Sequence, residues 1–299
     1  MPRSSGTHRL TPARARTVLV GYETALARSR LAPPSRRVYR SRVAGYLAWL
    51  SSQPLAGADP LADAYARNRA VGAYRDWLKS SQDAKPSTIN AVLTALDHFY
   101  THLQLGPVPT AREELMSGAR RILNEEEQLR FLAAVERHVS ARDRAIAYSL
   151  FYTGLRVAEL VALDRVDIRL VGKQSHLVVK EPVRRIPLQP QPQPVLREWV
   201  RERTEWVAHT DALFLNQRGG RLSSRSVDDV VLRIGHDAGL NARRAEQPVT
   251  PHVLRHTFAR RLLREGTAIE RVAELMGHKR LDTTQKYQLG DSADIHGRA

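Results

Sequence analysis

The 299-residue chain contains no cysteine, which excludes disulfides, thiolate zinc sites and cysteine nucleophiles. Nowhere do its apolar residues run on for the roughly 18 positions that a membrane-spanning helix needs. Its first stretch, MPRSSGTHRLTPARAR, has no hydrophobic segment of the kind a secretory signal carries. A cytoplasmic location with no membrane partner is therefore expected. Acidic residues are also in deficit, 31 Asp and Glu against 47 Lys and Arg, for a formal charge of +16. The excess arginine is spread through both halves rather than confined to a tail, which points to a polyanionic partner such as nucleic acid.

The length is comfortable for two domains. Residues 1–10 are polar and expected to be a flexible N-terminus. Residues 11–105 read as helical throughout, in four segments interrupted at Ala32-Pro33-Pro34, Gln53-Pro54 and Lys85-Pro86. Such a set makes a small all-α bundle. Arg36, Arg37, Arg40, Arg42, Arg67 and Lys79 are candidates for phosphate contacts there. Ser87 and Thr88 join them, at a helix start whose backbone N–H groups favour anions. Residues 106–122, beginning Gly106-Pro107-Val108-Pro109-Thr110, read as a linker.

Residues 123–290 form the second expected domain, followed by a tail at 291–299. Asn124 with Glu127 is a capping box for one helix, and a second runs from about Ala141 to the break at Thr153-Gly154-Leu155. Arg156 then stands at the start of a short helix, where a cation opposes the dipole. That cost makes sense if an anion binds beside it. Alternation over residues 166–188 predicts three short antiparallel strands, with Lys180 at the last turn. Pro190–Pro194 reads as a connector, with a helix from about Val195 to Val207 and another over Ser224–Ala238 closed by Gly239.

The most informative stretch is 250–290. Thr250 and Pro251 suit the cap and first turn of a helix that places Leu254, Phe258 and Leu262 on a core-facing stripe and sets His252 and Arg255 on another face. Thr267 with Glu270 predicts a capping box for the next helix, and Gly277 its left-handed stop, so that His278 follows a helix end. Asp282 with Gln285 caps a last helix bearing Tyr287.

Taken singly, each of these has a structural reading: a satisfied histidine, an ion-paired arginine, a surface tyrosine. Their joint order resembles a known family. The motifs T153-G-L-R156-V-A-E-L160, H252-x-x-R255 and L-M-G-H278, then Tyr287, are similar to those of the tyrosine recombinases, the phage-integrase family in its Xer-like form. The resemblance is specific from about Leu123 to Tyr287 and generic before that.

It implies a mostly α fold with a small antiparallel β-sheet (α+β), made of an N-terminal SAM-like, core-binding helical bundle and a tyrosine-recombinase catalytic domain. It also implies a catalytic set of Arg156, Lys180, His252, Arg255, His278 and Tyr287, with Glu159 as an orienting residue behind them rather than a catalyst. The expected partners are double-stranded DNA carrying an inverted-repeat site and, in the synaptic complex, three further copies of the chain. The reaction is site-specific strand cleavage and rejoining through a 3′-phosphotyrosine, with no cofactor, metal or ATP. In this chain the usual glycine- and lysine-rich hairpin turn is replaced by Lys180-Glu181-Pro182-Val183-Arg184-Arg185. The alternatives are a type IB topoisomerase and a DNA-binding protein that has lost catalysis. Two histidine pairs at helical i, i+4 spacing, His98/His102 and His252/His256, lack the adjacent glutamate of a zinc-protease motif and read as structural.

Overall fold

The computed structural model describes residues 7–8, 10–114, 121–241 and 247–277. The chain divides into two compact units, residues 1–117 and 118–299. None of the helices among the described residues is long and apolar enough to cross a membrane.

The first unit is a bundle of α1 (Pro12–Arg28), α2 (Pro33–Ser52), α3 (Ala64–Ser80) and α4 (Pro86–His102), with a two-stranded ribbon of β1 (Thr7–His8) and β2 (Leu55–Ala56). Proline fits the first turn of α1, α2 and α4 because the N–H it lacks has no intrahelical partner there. Thr11 and Asp63 cap α1 and α3 by accepting from Arg14 N and Ala66 N. Tyr22, Tyr46, Leu50, Phe99 and Tyr100 form its buried centre, and the Tyr46 and Tyr100 hydroxyls satisfy one another at 2.7 Å. His98 turns its Nδ1 to the Tyr22 hydroxyl, 2.9 Å away.

Three expectations change in this unit. Of the expected loose N-terminus, residues 1–6 and 9 lie outside the described residues, whereas Thr7–His8 pairs antiparallel with Leu55–Ala56 and Leu10 is buried. Arg67 is not exposed; it is buried against the carbonyls of Leu105 and Gly106. Residues 106–114, expected as linker, are fastened to α4: Asp97 accepts from Val108 N at 2.9 Å, and Asn90 exchanges hydrogen bonds of 2.8 Å with the Glu113 backbone.

The second unit is built around α6 (Ala141–Thr153), which buries ten of its thirteen residues, Asp143, Ser149 and Thr153 among them. Packed against it are α5 (Glu125–Arg137), α7 (Val157–Ala162), α8 (Pro192–Glu202), α9 (Ser224–Asp237) and α10 (Pro251–Arg264). Asn124 and Glu127 form the expected capping box on α5. α6 stops at Gly154, whose φ of 60° belongs to the left-handed region and whose Cα lies too close to the Phe258 ring for any Cβ.

The sheet is antiparallel in the order β3 (Ile168–Arg169), β4 (His176–Lys180), β5 (Val183–Pro187). Its first strand is shorter than the alternation predicts, because Arg165–Asp167 forms a 3₁₀ turn that leaves Val166 exposed. The connector at 190–194 is likewise shorter: Pro192 opens α8, which buries Leu196 and Trp199 and ends at Glu202. After α10 comes α11 (Ile269–Met276), closed by Gly277 at φ 61°. The capping box expected from Thr267 and Glu270 does not form, since the cap position is Ala268 with no side-chain hydrogen bond.

Candidate active site

α7 and α10 each deliver an arginine to the last turn of α11. Thr250 caps α10 by accepting from Val253 N, while Leu254, Phe258 and Leu262 bury as their spacing requires. This fixes the helix so that Arg255 points inward and is only 4% exposed. Its guanidinium donates to the carbonyls of Gly154 and of Met276, the latter at 2.6 Å. Arg156, at the cap position of α7, donates from Nη2 to the Gly277 carbonyl at 3.1 Å.

A third guanidinium reaches the same turn. Arg184 on β5 donates from Nε to the Leu275 carbonyl at 2.9 Å. Three arginines thus hold three successive carbonyls, Leu275, Met276 and Gly277, at the negative end of one helix. His278 is the next residue in the chain.

Glu159 balances this charge. Its carboxylate accepts from Arg156 N and Arg156 Nη1, each at 2.8 Å, and from Arg184 Nη2 at 2.8 Å. It also lies 4.0 Å from Arg255 Nη1. Burial pushes the Glu159 carboxyl up, but the Arg184 hydrogen bond, the Arg156 backbone N–H and the guanidinium charges outweigh it and hold the group below the usual carboxylate range. A buried carboxylate is tolerated because it is paired and hydrogen-bonded several times over.

His252 sits in the first turn of α10, exposed, with its ring edge-on to His256 at 5.8 Å between centroids. The neighbouring Asp228 carboxyl is pushed up by partial burial and by Asp229, with His252 working against them. Lys180 is not brought to the arginines. It is the last residue of β4, in register with Val183, and its ammonium lies 2.7 Å from Asp164 and 2.9 Å from Asp167. The hydrogen bond to Asp164 and the charge of both carboxylates hold it above the ordinary lysine range, and Lys180 and Arg221 hold Asp164 below its own.

His278 and Tyr287 lie outside the described residues. The structure therefore joins Arg156, Glu159 and Arg255, sets His252 at the start of the same helix as Arg255, and leaves Lys180 on a separate carboxylate pair. Among the described residues no group of three His, Asp or Glu side chains is arranged to hold a metal ion. Arg184 is the functional candidate that the strand pattern does not disclose. Its one signal is register: on β5 residues 184 and 186 are buried while 183, 185 and 187 are exposed.

The bundle residues divide in two. Arg36 donates to the Leu31 and Ser29 carbonyls, Arg40 pairs with Glu23, Arg42 donates to the Ala91 carbonyl and Lys79 pairs with Glu113. Arg37, Ser87 and Thr88 are exposed.

The arginine cluster sits within a matched family segment. Residues 121–292 match the phage integrase family, and the chain belongs to that family, an enzyme class of DNA-cleaving and DNA-joining tyrosine recombinases. The tyrosine recombinase XerC of Pelobacter propionicus is 36% identical over 223 residues, covering 70% of this chain and 68% of that protein. The XerC of Myxococcus xanthus is 33% identical over 236 residues, covering 72% and 76%. In fold the chain is similar to the XerH site-specific recombinase bound to palindromic difH substrate in a post-cleavage complex. The TM-score is 0.72 at 20% identity, over 95% of this chain and 83% of that one.

Proposed function

We propose that the chain is a site-specific recombinase that cleaves and rejoins duplex DNA through a 3′-phosphotyrosine on Tyr287. A phosphodiester is anionic before attack and gains charge in its pentavalent transition state, so a site that acts on it must supply fixed positive charge. Arg156 and Arg255 fork onto the non-bridging oxygens, and because guanidinium does not deprotonate they do so without a metal. His252 and His278 donate to the phosphate, and either accepts the phenolic proton. Tyr287 attacks, and the phosphodiester bond is kept as a phosphotyrosine, so rejoining needs no ATP. Lys180, released from Asp164 and Asp167, protonates the departing 5′-oxygen.

The observation that carries this reading is the meeting of Arg156 and Arg255 around Glu159 at the end of α11. The residues come from points about a hundred positions apart in the chain, and relatives named as tyrosine recombinases support the recombinase reading further. The first unit grips the duplex, with Arg37, Ser87 and Thr88 ready as phosphate contacts and Arg36, Arg40, Arg42 and Lys79 available once their internal partners are exchanged. Four copies pair two inverted-repeat sites in the cytoplasm.

Incubation with supercoiled plasmids tests the proposal. A covalent adduct confined to one inverted-repeat site is the expected result. Relaxation at any sequence would instead indicate a type IB topoisomerase, and binding without an adduct would indicate a protein that has lost catalysis.

A further inference from the structure

Arg184 occupies a position on β5 that a core hydrophobe would fill at no desolvation cost. It pairs in register with Val179, faces the same way as Ile186, and is 8% exposed. A guanidinium placed there must recover its hydration from partners. It finds Glu159 through Nη2 and the Leu275 carbonyl through Nε, but Nη1 is buried without a hydrogen-bond partner. That bare N–H group lies against the end of α11. A Cβ on Gly277 would stand 2.8 Å from it and 3.4 Å from Arg156 Nη1.

We propose that Arg184 is a positioning residue for strand cleavage, acting through Glu159 and the last turn of α11 to hold Arg156 and Arg255 in the geometry that receives the scissile phosphate. The proposal rests on the recombinase reading above. Arg184 Nη2 shares Oε2 of Glu159 with the Arg156 backbone N–H, and this fixes the carboxylate so that Oε1 is left to the Arg156 guanidinium. The Nε bond does the same for the carbonyl that precedes the two held by Arg255 and Arg156. Lysine in this place keeps the charge but loses the planar fork, so it cannot reach Glu159 and Leu275 together in the same way.

The test is single-turnover cleavage of a nicked DNA substrate by the full chain, comparing wild type with Arg184→Gln and Arg184→Lys. DNA affinity is expected to hold while adduct formation slows by about 10–100-fold, the loss typical when a partner that orients a metal-ligating side chain is removed, which sets the scale for a residue that orients an arginine. Two altered substrates separate positioning from a general loss of fold. A methylphosphonate at the scissile position carries no charge for the arginines to balance, and there the gap between Arg184→Gln and wild type is expected to narrow. A sulfur in place of the bridging 5′-oxygen departs without a proton donor, and there the gap is expected to persist.

Wild-type cleavage rates in both variants overturn the proposal. So does a gap that closes with the bridging sulfur, which would place the effect on Lys180, or one that is undiminished on the methylphosphonate. Should Arg184→Gln lose its thermal transition, Arg184→Lys is judged by the same criteria. A wild-type protein that forms no adduct on any substrate removes the functional reading and the proposal together, and is distinguishable from the other outcomes on that ground.

Discussion

Lys180 Nζ lies 2.7 Å from Asp164 Oδ2, at the end of the strand that leads into the hairpin. With Asp167 also in contact, the lysine proposed to protonate the leaving 5′-oxygen rests on a carboxylate pair rather than on Glu159 with Arg156 and Arg184. The proposed role requires that it exchange these two carboxylates for a phosphate.

If Lys180 is the proton donor, Lys180→Ala slows cleavage of ordinary DNA by about 10²–10⁴-fold, the usual worth of general acid catalysis. Substituting sulfur for the bridging 5′-oxygen restores the rate, because a thiolate leaves without a proton. Single-turnover adduct formation on the two substrates is the check, and an unrestored rate would move the role elsewhere.

Glu159 sets an acid limit on stability. Its carboxyl is held below the ordinary value of 4.5 in the folded protein. Its contribution is therefore fully present above about that pH and is lost as pH falls towards the depressed native value. Glu159→Gln has no carboxylate to titrate, so its Tm declines less steeply over that acid range. At neutral pH it is less stable by about 3–5 kcal/mol, since the buried guanidinium groups lose their counter-charge. Thermal melts between neutral and acid pH measure both effects, and parallel curves would contradict them.

Gly277→Ala meets two obstacles at once. Its φ of 61° costs a residue with Cβ about 1–2 kcal/mol. The methyl would also press on Arg184 Nη1 and Cζ at 2.8 and 3.0 Å. A displacement of the neighbouring guanidinium groups by a fraction of an ångström slows cleavage by about tenfold to 10²-fold. Cleavage kinetics alongside a melt decide this, with an unchanged rate counting against the packing described.

DNA affinity falls steeply with salt, because a chain of formal charge +16 binds by releasing counterions from phosphates. Titration at low and moderate salt gives the slope, and a flat response would oppose binding through the basic residues named.

Much of this arrangement is legible in the sequence where the cause is local. The Asn124/Glu127 box, the Thr250 cap, the Gly154 and Gly277 stops and the apolar stripe Leu254–Phe258–Leu262 depend on residues within a turn or two of each other, and all form. What is not legible depends on distant partners. Arg184 reads as part of a basic turn until register turns it inward towards Glu159, far upstream. Lys180 reads as a free hairpin lysine until Asp164 and Asp167 close on it. Residues 107–113 look like linker because nothing near them in sequence reveals Asn90 and Asp97 on α4. The Thr267/Glu270 box fails for a more local reason, since the chain begins α11 one residue later than that motif needs.

The central claim is tested most directly by trapping the protein on a nicked DNA substrate that cannot religate and identifying the modified peptide by mass spectrometry. A single 3′-phosphate adduct on Tyr287, absent from a Tyr287→Phe variant that still binds DNA, is the result predicted. An adduct that persists in Tyr287→Phe, or that maps to any other residue, would contradict the account.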